Sequence, residues 1–527
     1  MPVISGTTAR QAEAIGRWLL MFLWVGGAVM WWWPGYRVWG SMAAGLIAVL
    51  GIWLAGQIVA GRRRVPGHPM HWGWLGPGAA MVWHLARASL TDLPRSDAGG
   101  VTASSAFHLV LLAAAVMLVQ LVLSLELVNR PWTICGIALA MTVGGLAAWG
   151  SQAPVVTPAT TLLGLAGGWL AVGAAWPGAW WGPMAEGALR RAKSRRWTWI
   201  WRGIVGVLAA AGATALAAEF TREALVSAAC LGLALLGAGA LGTKRRWLFL
   251  AAGAAVTAGA ATALRAWGGW GLQWPSSWLG EGDNIFSRVH TDAGGLTVLG
   301  GMLGWVGLGG LGLALVGTVA RLWRLGGSCQ ARETIARVAW TAGTLTACAA
   351  VAAPGGLFVP STVLAVGLAV GLMPAAFGAG MPERPAWVLG GAVAGAAAVL
   401  GLSSAGGLAR WAPAAIGGED AWPHALTGFL LAMILAWWWG ARRTWLALAG
   451  VGLVVLIGAG GELAQQWFTR EPGEWHDWGF HTLGCLPAVI VLVLGRYARR
   501  CELPDARAKD LVSGSHRWRA LPRRARR

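Results

Sequence analysis

The chain is short of charge. Only 12% of its 527 residues are Asp, Glu, Lys or Arg, about half the share carried by soluble globular chains. That leaves too few polar side chains to wet the exterior of so long a molecule, since even large soluble domains must cover a surface. Length alone would allow about three soluble domains, and the missing charge excludes them. Tyrosine is nearly absent as well, with 2 residues, so any aromatic belt at a membrane interface falls to tryptophan. The 6 cysteines (Cys135, Cys230, Cys329, Cys348, Cys485 and Cys501) contain no Cys-x-x-Cys pair, and most lie in apolar runs. They read as small apolar residues, offering neither a disulfide framework nor a metal set. No spacing elsewhere nominates a metal or a cofactor. A signal-peptide cleavage site is also missing. The first apolar run follows Arg10 and Arg17, ends in Trp31-Trp32-Trp33 and is expected to stay as a helix.

What is abundant is apolar bulk: 56% hydrophobic residues, with 80 Gly and 38 Trp. Gly and Ala let membrane helices approach closely, although a GC-rich genome gives the same bias. A hydrocarbon core about 30 Å thick needs about 20 apolar residues at 1.5 Å each. Runs that meet this are 16–33, 38–60, 106–128, 131–150, 155–180, 199–218, 222–242, 247–267, 295–320, 338–353, 356–380, 386–410, 423–441, 444–462 and 479–497. They predict an all-α, polytopic integral membrane helix bundle of about 14–16 transmembrane helices.

A net charge of +20 raises nucleic acid as a partner, but its placement argues against one. The basic residues sit in short clusters between apolar runs: Arg62-Arg63-Arg64, Arg190-Arg191, Arg195-Arg196, Lys244-Arg245-Arg246, Arg442-Arg443 and the tail from Arg496 to Arg527. Such clusters orient helices, because basic loops stay cytoplasmic. The expected partners are therefore membrane lipids, with the C-terminal tail on the cytoplasmic leaflet. With Arg62-Arg63-Arg64 inside, alternation from Arg190 onward keeps every basic cluster inside. Loops 268–294, 411–422 and 463–478 then fall outside. One conflict remains between residues 64 and 190, where three runs give the wrong parity. Either 155–180 is re-entrant or the Trp-rich stretch 72–90 adds a crossing.

The outer loops hold most residues able to do chemistry, and polar groups at membrane depth are costly and often functional. Asp420 and His424 open the run at 423–441. Glu462 and Gln465, three apart, share a helix face near the end of the next run, followed by Phe468 and Arg470. Asp477, His481 and Gly484 share a face at the start of the last. Three helix ends are therefore expected to bring acidic, amide and imidazole groups to one outer rim, with Arg470 placed to pair with Glu462. Residues 418–497 resemble the VanZ-like family. Its pattern is an acidic residue and His, then Glu-x-x-Gln, an Arg, and an Asp before an Asn and a Gly. The matching positions are Asp420, His424, Glu462, Gln465, Arg470, Asp477 and Gly484, with His481 standing where the family has Asn. The resemblance covers under a fifth of the chain and implies a link to glycopeptide-antibiotic resistance without naming a reaction.

A second patch lies at Glu281-Gly282-Asp283 through Arg288, His290 and Asp292. Glycosyl transfer from a lipid pyrophosphate needs a cation for the leaving diphosphate and a base for the acceptor hydroxyl. Arg288 suits the first role, and His290 or Asp292 the second. His290-Thr291-Asp292 followed by the helix around Leu303-Gly304-Trp305-Val306-Gly307 resembles SEDS and O-antigen ligase-like membrane glycan polymerases, over about residues 200–380. Gly300 and Gly301 stand where that group has glutamates. The readings that follow are a bacterial inner-membrane protein handling a lipid-linked glycan or affecting glycopeptide tolerance, and, against it, a non-enzymatic scaffold or transporter-like protein. If enzymatic, it would be a membrane glycosyltransferase. The expected divisions are a polytopic region at 1–410, the VanZ-like module at 411–497 and a basic cytoplasmic tail at 498–527.

Overall fold

In the computed structural model, the described residues are 3–30, 36–60, 64–68, 70, 83, 115, 118–122, 125, 131–150, 157–175, 195–241, 246–266, 278, 295–325, 331–377, 383–385, 421–440, 444–468 and 475–517. Nearly all of them are helical. The helices are α1 (Val3–Met30), α2 (Tyr36–Ala60), α3 (Pro131–Gly150), α4 (Thr157–Ala175), α5 (Arg195–Glu219), α6 (Thr221–Ala240) and α7 (Arg246–Ala266). They continue with α8 (Gly295–Leu325), α9 (Ala331–Ala352), α10 (Pro360–Ala376), α11 (Ala421–Gly440), α12 (Thr444–Phe468) and α13 (Trp475–Arg517). Helix is the form open to such runs, because in hydrocarbon each backbone N–H and C=O must be satisfied within its own segment.

Among the described residues, five stretches are long and apolar enough to cross a membrane: Thr221–Ala240, Leu303–Arg324, Thr334–Ala352, Thr444–Leu463 and Trp475–Tyr497. Shorter apolar stretches lie in α2, α3, α4, α5, α10 and α11. The architecture is the all-α polytopic bundle that the composition predicts. The run at 386–410, and that at 106–128 beyond residues 115, 118–122 and 125, fall outside the described residues.

The bundle centre is built on glycine. A methyl group added at Gly145 of α3 would lie 2.8 Å from the Gly164 Cα of α4, and one at Gly167 would lie 2.6 Å from the Ala138 carbonyl oxygen. Gly173 faces Ala336 and Trp340 of α9, while Gly343 of α9 faces Ala166. Close backbone approach of this kind is how membrane helices associate without a hydrophobic driving force. Polar glue adds to it. The Trp169 indole of α4 donates to Ser227 Oγ of α6 at 2.9 Å, and Ser227 Oγ lies 3.4 Å from Thr346 Oγ1 of α9.

These contacts fix direction. Ascending positions in α4 meet descending ones in α3 (Gly164 with Gly145, Gly167 with Ala138) and in α9 (Ala166 with Gly343, Gly173 with Ala336). The same holds for α5, where Gly164 meets Leu216 and Gly168 meets Ala213. So α4 runs antiparallel to all three. Its 19 residues rise about 28 Å, close to the hydrocarbon thickness. Of the two alternatives for the crossing before Arg190, 155–180 is described over 157–175 as one unbroken helix. The other alternative, 72–90, lies outside the described residues apart from Trp83.

Two three-residue strands, β1 (Arg64–Pro66) and β2 (Glu383–Pro385), pair antiparallel with Val65 opposite Arg384. The prolines help stop this ladder, since they have no N–H to donate. Just past β1, His68 is buried. Its Nδ1 accepts the Met70 N–H at 3.1 Å, so Nε2 carries the hydrogen and donates to the Val370 carbonyl at 3.1 Å. The outer helices leave large apolar residues exposed, such as Leu313 and Val316 of α8, Leu456 of α12 and Ile490 of α13. So much exposed apolar surface suits lipid, not water.

Candidate functional site at the ends of three helices

The last three helices form a tight trio, with α11 and α13 both resting on α2. Glycine again sets the spacing. Gly484 of α13 lies against the Ala425 carbonyl of α11, and Gly428 of α11 against the His481 carbonyl of α13; a Cβ at either would collide with backbone. His481 is buried and its ring covers Gly458 of α12. Its Nε2 donates to the Val454 carbonyl at 3.0 Å, and beside it the Trp478 indole donates to the Val455 carbonyl at 3.0 Å. On the α2 side, Trp53 meets Trp437 of α11 with ring centroids 5.8 Å apart. These contacts hold the helix ends in register.

At one end of the trio three side chains meet. His424 is in the first turn of α11, Glu462 is near the end of α12, and Asp477 is in the first turn of α13. His424 Nδ1 lies 3.8 Å from Glu462 Oε1, and His424 Nε2 lies 3.5 Å from Asp477 Oδ2. All three residues are buried, at 8%, 5% and 8% exposure, which is unusual for carboxylates unless they are paired or bind a cation. Asp477 sits where the α13 dipole favours negative charge. Glu462 sits at the opposite, negative end of α12, where a cationic neighbour is needed to hold a carboxylate. One ligand atom from each of the three lies within 4.8 Å of the others, a grouping able to hold a metal ion. The sequence reading proposed no metal here, because no spacing motif announces ligands drawn from three helices.

The remaining candidates divide clearly. Gly484 is the close-contact glycine described above. Gln465 lies in α12, one turn past Glu462, with its side chain outside the description. Asp420, Arg470, Arg288, His290 and Asp292 all lie outside the described residues. The helix that follows the 274–292 patch is described, and it is broken: Gly304 has φ 59° and ψ −168° within α8. Next to the break the Val306 N–H donates to the Trp278 carbonyl at 3.0 Å, which ties Trp278 to the helix.

Few charges fall in the middle of the apolar runs; Glu219 and Arg265, for example, lie near run ends. The structure buries two that sequence reasoning missed, Glu223 in the first turn of α6 and Arg337 in α9. The Arg337 guanidinium lies 5.8 Å from the Trp323 ring and 5.6 Å from the Phe377 ring, and its Nη2 donates to the Phe377 carbonyl at 3.2 Å. Nothing in the spacing sets Arg337 apart from the nearby Arg321, Arg324 and Arg332.

An apolar helix bundle with a buried imidazole–carboxylate centre at the ends of two candidate spans and a shorter apolar helix defines an integral membrane protein. No protein-family model, curated protein or solved structure matches the chain.

Proposed function

We propose that this is a bacterial inner-membrane protein that handles a lipid-linked saccharide of the cell envelope, with a VanZ-like C-terminal module that influences glycopeptide tolerance. The observation that carries the reading is the meeting of His424, Glu462 and Asp477 in one buried centre. These are three positions of the VanZ-like pattern, and they come from three separate helices. A polar centre at this depth is costly in a membrane protein and marks function more often than packing. Its natural ligand is a head group at the same depth, which a lipid-linked sugar presents.

Sidedness supports the outer face. The His424 end of the trio is opposite Arg442-Arg443 and Arg496, which the positive-inside rule keeps cytoplasmic along with the C-terminus. On the same reading Arg288, His290 and Asp292 face outward and serve group transfer: Arg288 for the leaving diphosphate, His290 or Asp292 as base. The test is H424A and E462A in the native host at matched protein levels. Altered envelope glycans or altered glycopeptide tolerance is the expected result; unchanged profiles in both variants sink the proposal.

A second, transporter-like reading is favoured by one observation, the buried Arg337 and Glu223 inside the bundle, since intramembrane charges often line transport paths. Substrate uptake into liposomes that is abolished by R337M would establish it. A scaffold with neither activity would leave both assays flat.

A further inference from the structure

We infer that His424, Glu462 and Asp477 form a divalent metal site. The inference goes beyond the glycan reading and does not depend on it, because it stands on the donor set and its geometry.

The two carboxylates approach the imidazole from its two nitrogen edges, at 3.8 and 3.5 Å. A neutral imidazole carries one N–H, so in that form one of these contacts sets lone pair against lone pair. A further proton, on the ring or on a carboxyl, relieves that contact, and so does a metal. A proton on the ring offsets one of the two carboxylates, whereas a divalent ion offsets both.

Distances agree. Two ligands each about 2.1 Å from a metal are at most about 4.2 Å apart, and the three ligand atoms here lie within 4.8 Å of one another. Inward rotation of the side chains by under about 1 Å closes the site. The backbones need not move, because the Gly484–Ala425, Gly428–His481 and Gly458–His481 contacts already hold α11, α12 and α13 together. One nitrogen and two oxygens, with no thiolate, suit Zn²⁺, Mn²⁺ or Fe²⁺ better than soft ions. Three protein ligands leave a position open, the arrangement of catalytic and not structural sites. At interface depth an open position suits water or a phosphate oxygen.

The test uses the full-length protein in detergent, with any affinity tag removed, stripped with EDTA and dialysed against metal-free buffer. Mn²⁺, Zn²⁺ and Co²⁺ are titrated in turn, with metal content, the Mn²⁺ spin resonance signal and the Co²⁺ absorption as readouts. The expected result is one ion retained per chain and a thermal midpoint raised by the ion. E462Q and D477N keep side-chain volume and are expected to weaken binding by about 100-fold or more, with helix content unchanged. Wild-type protein that retains no ion above background overturns the proposal. So does equal binding by both variants. The two proposals fail separately. Metal bound with envelope glycans unchanged in H424A sinks the glycan reading alone, while altered glycans in a protein that binds no metal sink the metal site alone.

Discussion

At the scale of single residues, the trio's geometry depends on atoms that are missing. Gly484 and Gly428 lie where a methyl group would run into a backbone carbonyl of the facing helix. That neighbour is backbone and cannot rotate away, so G484A is expected to destabilise the protein by about 1–3 kcal/mol or to separate the helix ends. Either outcome should lower the thermal midpoint in detergent. If G484A melts with wild type, the close packing of α11 on α13 is wrong. His481 makes a complementary case. Its ring covers Gly458 and donates to the Val454 carbonyl at 3.0 Å. H481A should leave a cavity and a lost hydrogen bond, costing about 2–4 kcal/mol. Metal retention at His424 should survive in the fraction that stays folded, because His481 supports the trio's packing and is not one of the three proposed ligands. Loss of metal in folded H481A would move it into the site itself.

At the scale of elements, the helices were legible and their interruptions were not. Apolar runs of about 20 residues announce crossing helices, and α3, α6 and α12 lie within a few residues of the runs that predicted them. The break in α8 is different. Leu303-Gly304-Trp305-Val306-Gly307 reads as a continuous Gly-rich helix, yet Gly304 has φ 59° and ψ −168°, a region essentially reserved for glycine. One glycine among many carries no mark of which will bend. G304A should therefore either straighten α8, breaking the Val306–Trp278 hydrogen bond, or cost about 1–3 kcal/mol in strain. Hydrogen exchange at the Val306 amide separates the two outcomes, and an unchanged midpoint with unchanged exchange refutes the break. The site was partly legible for a related reason. Spacing of three and four put Glu462 with Gln465, and Asp477 with His481 and Gly484, on shared faces. Spacing within one helix cannot say how far apart two helices stand, so the 3.5 and 3.8 Å contacts of His424 had no signal in the sequence.

At the scale of the whole molecule, two independent lines give the same sidedness. Basic clusters place Arg62-Arg63-Arg64 and the segment after α10 on one face of the membrane. The structure pairs those same segments, with Arg64 opposite Pro385 and Val65 opposite Arg384. Packing extends the agreement, since Gly495, just before Arg496 of α13, lies against Ile58 and Val59 near the C-terminal end of α2. The parity conflict before Arg190 turns on the runs between residues 64 and 190, of which α4 is one helix antiparallel to α3, α5 and α9. The ribbon gives the most direct check. Directly opposed residues of an antiparallel pair have Cα atoms about 4.5–5.5 Å apart, within the range a disulfide spans. A V65C/R384C double variant in a background without the six native cysteines should therefore crosslink under mild oxidant, and V65C/T444C should not. Membrane-impermeant thiol reagents should label both single variants from the same side, the one opposite any label placed at Trp475, beside Asp477. Labelling of V65C and R384C from opposite sides would break the bundle's assembly and the sidedness of the His424 centre together, since both rest on α2 and α13 running parallel.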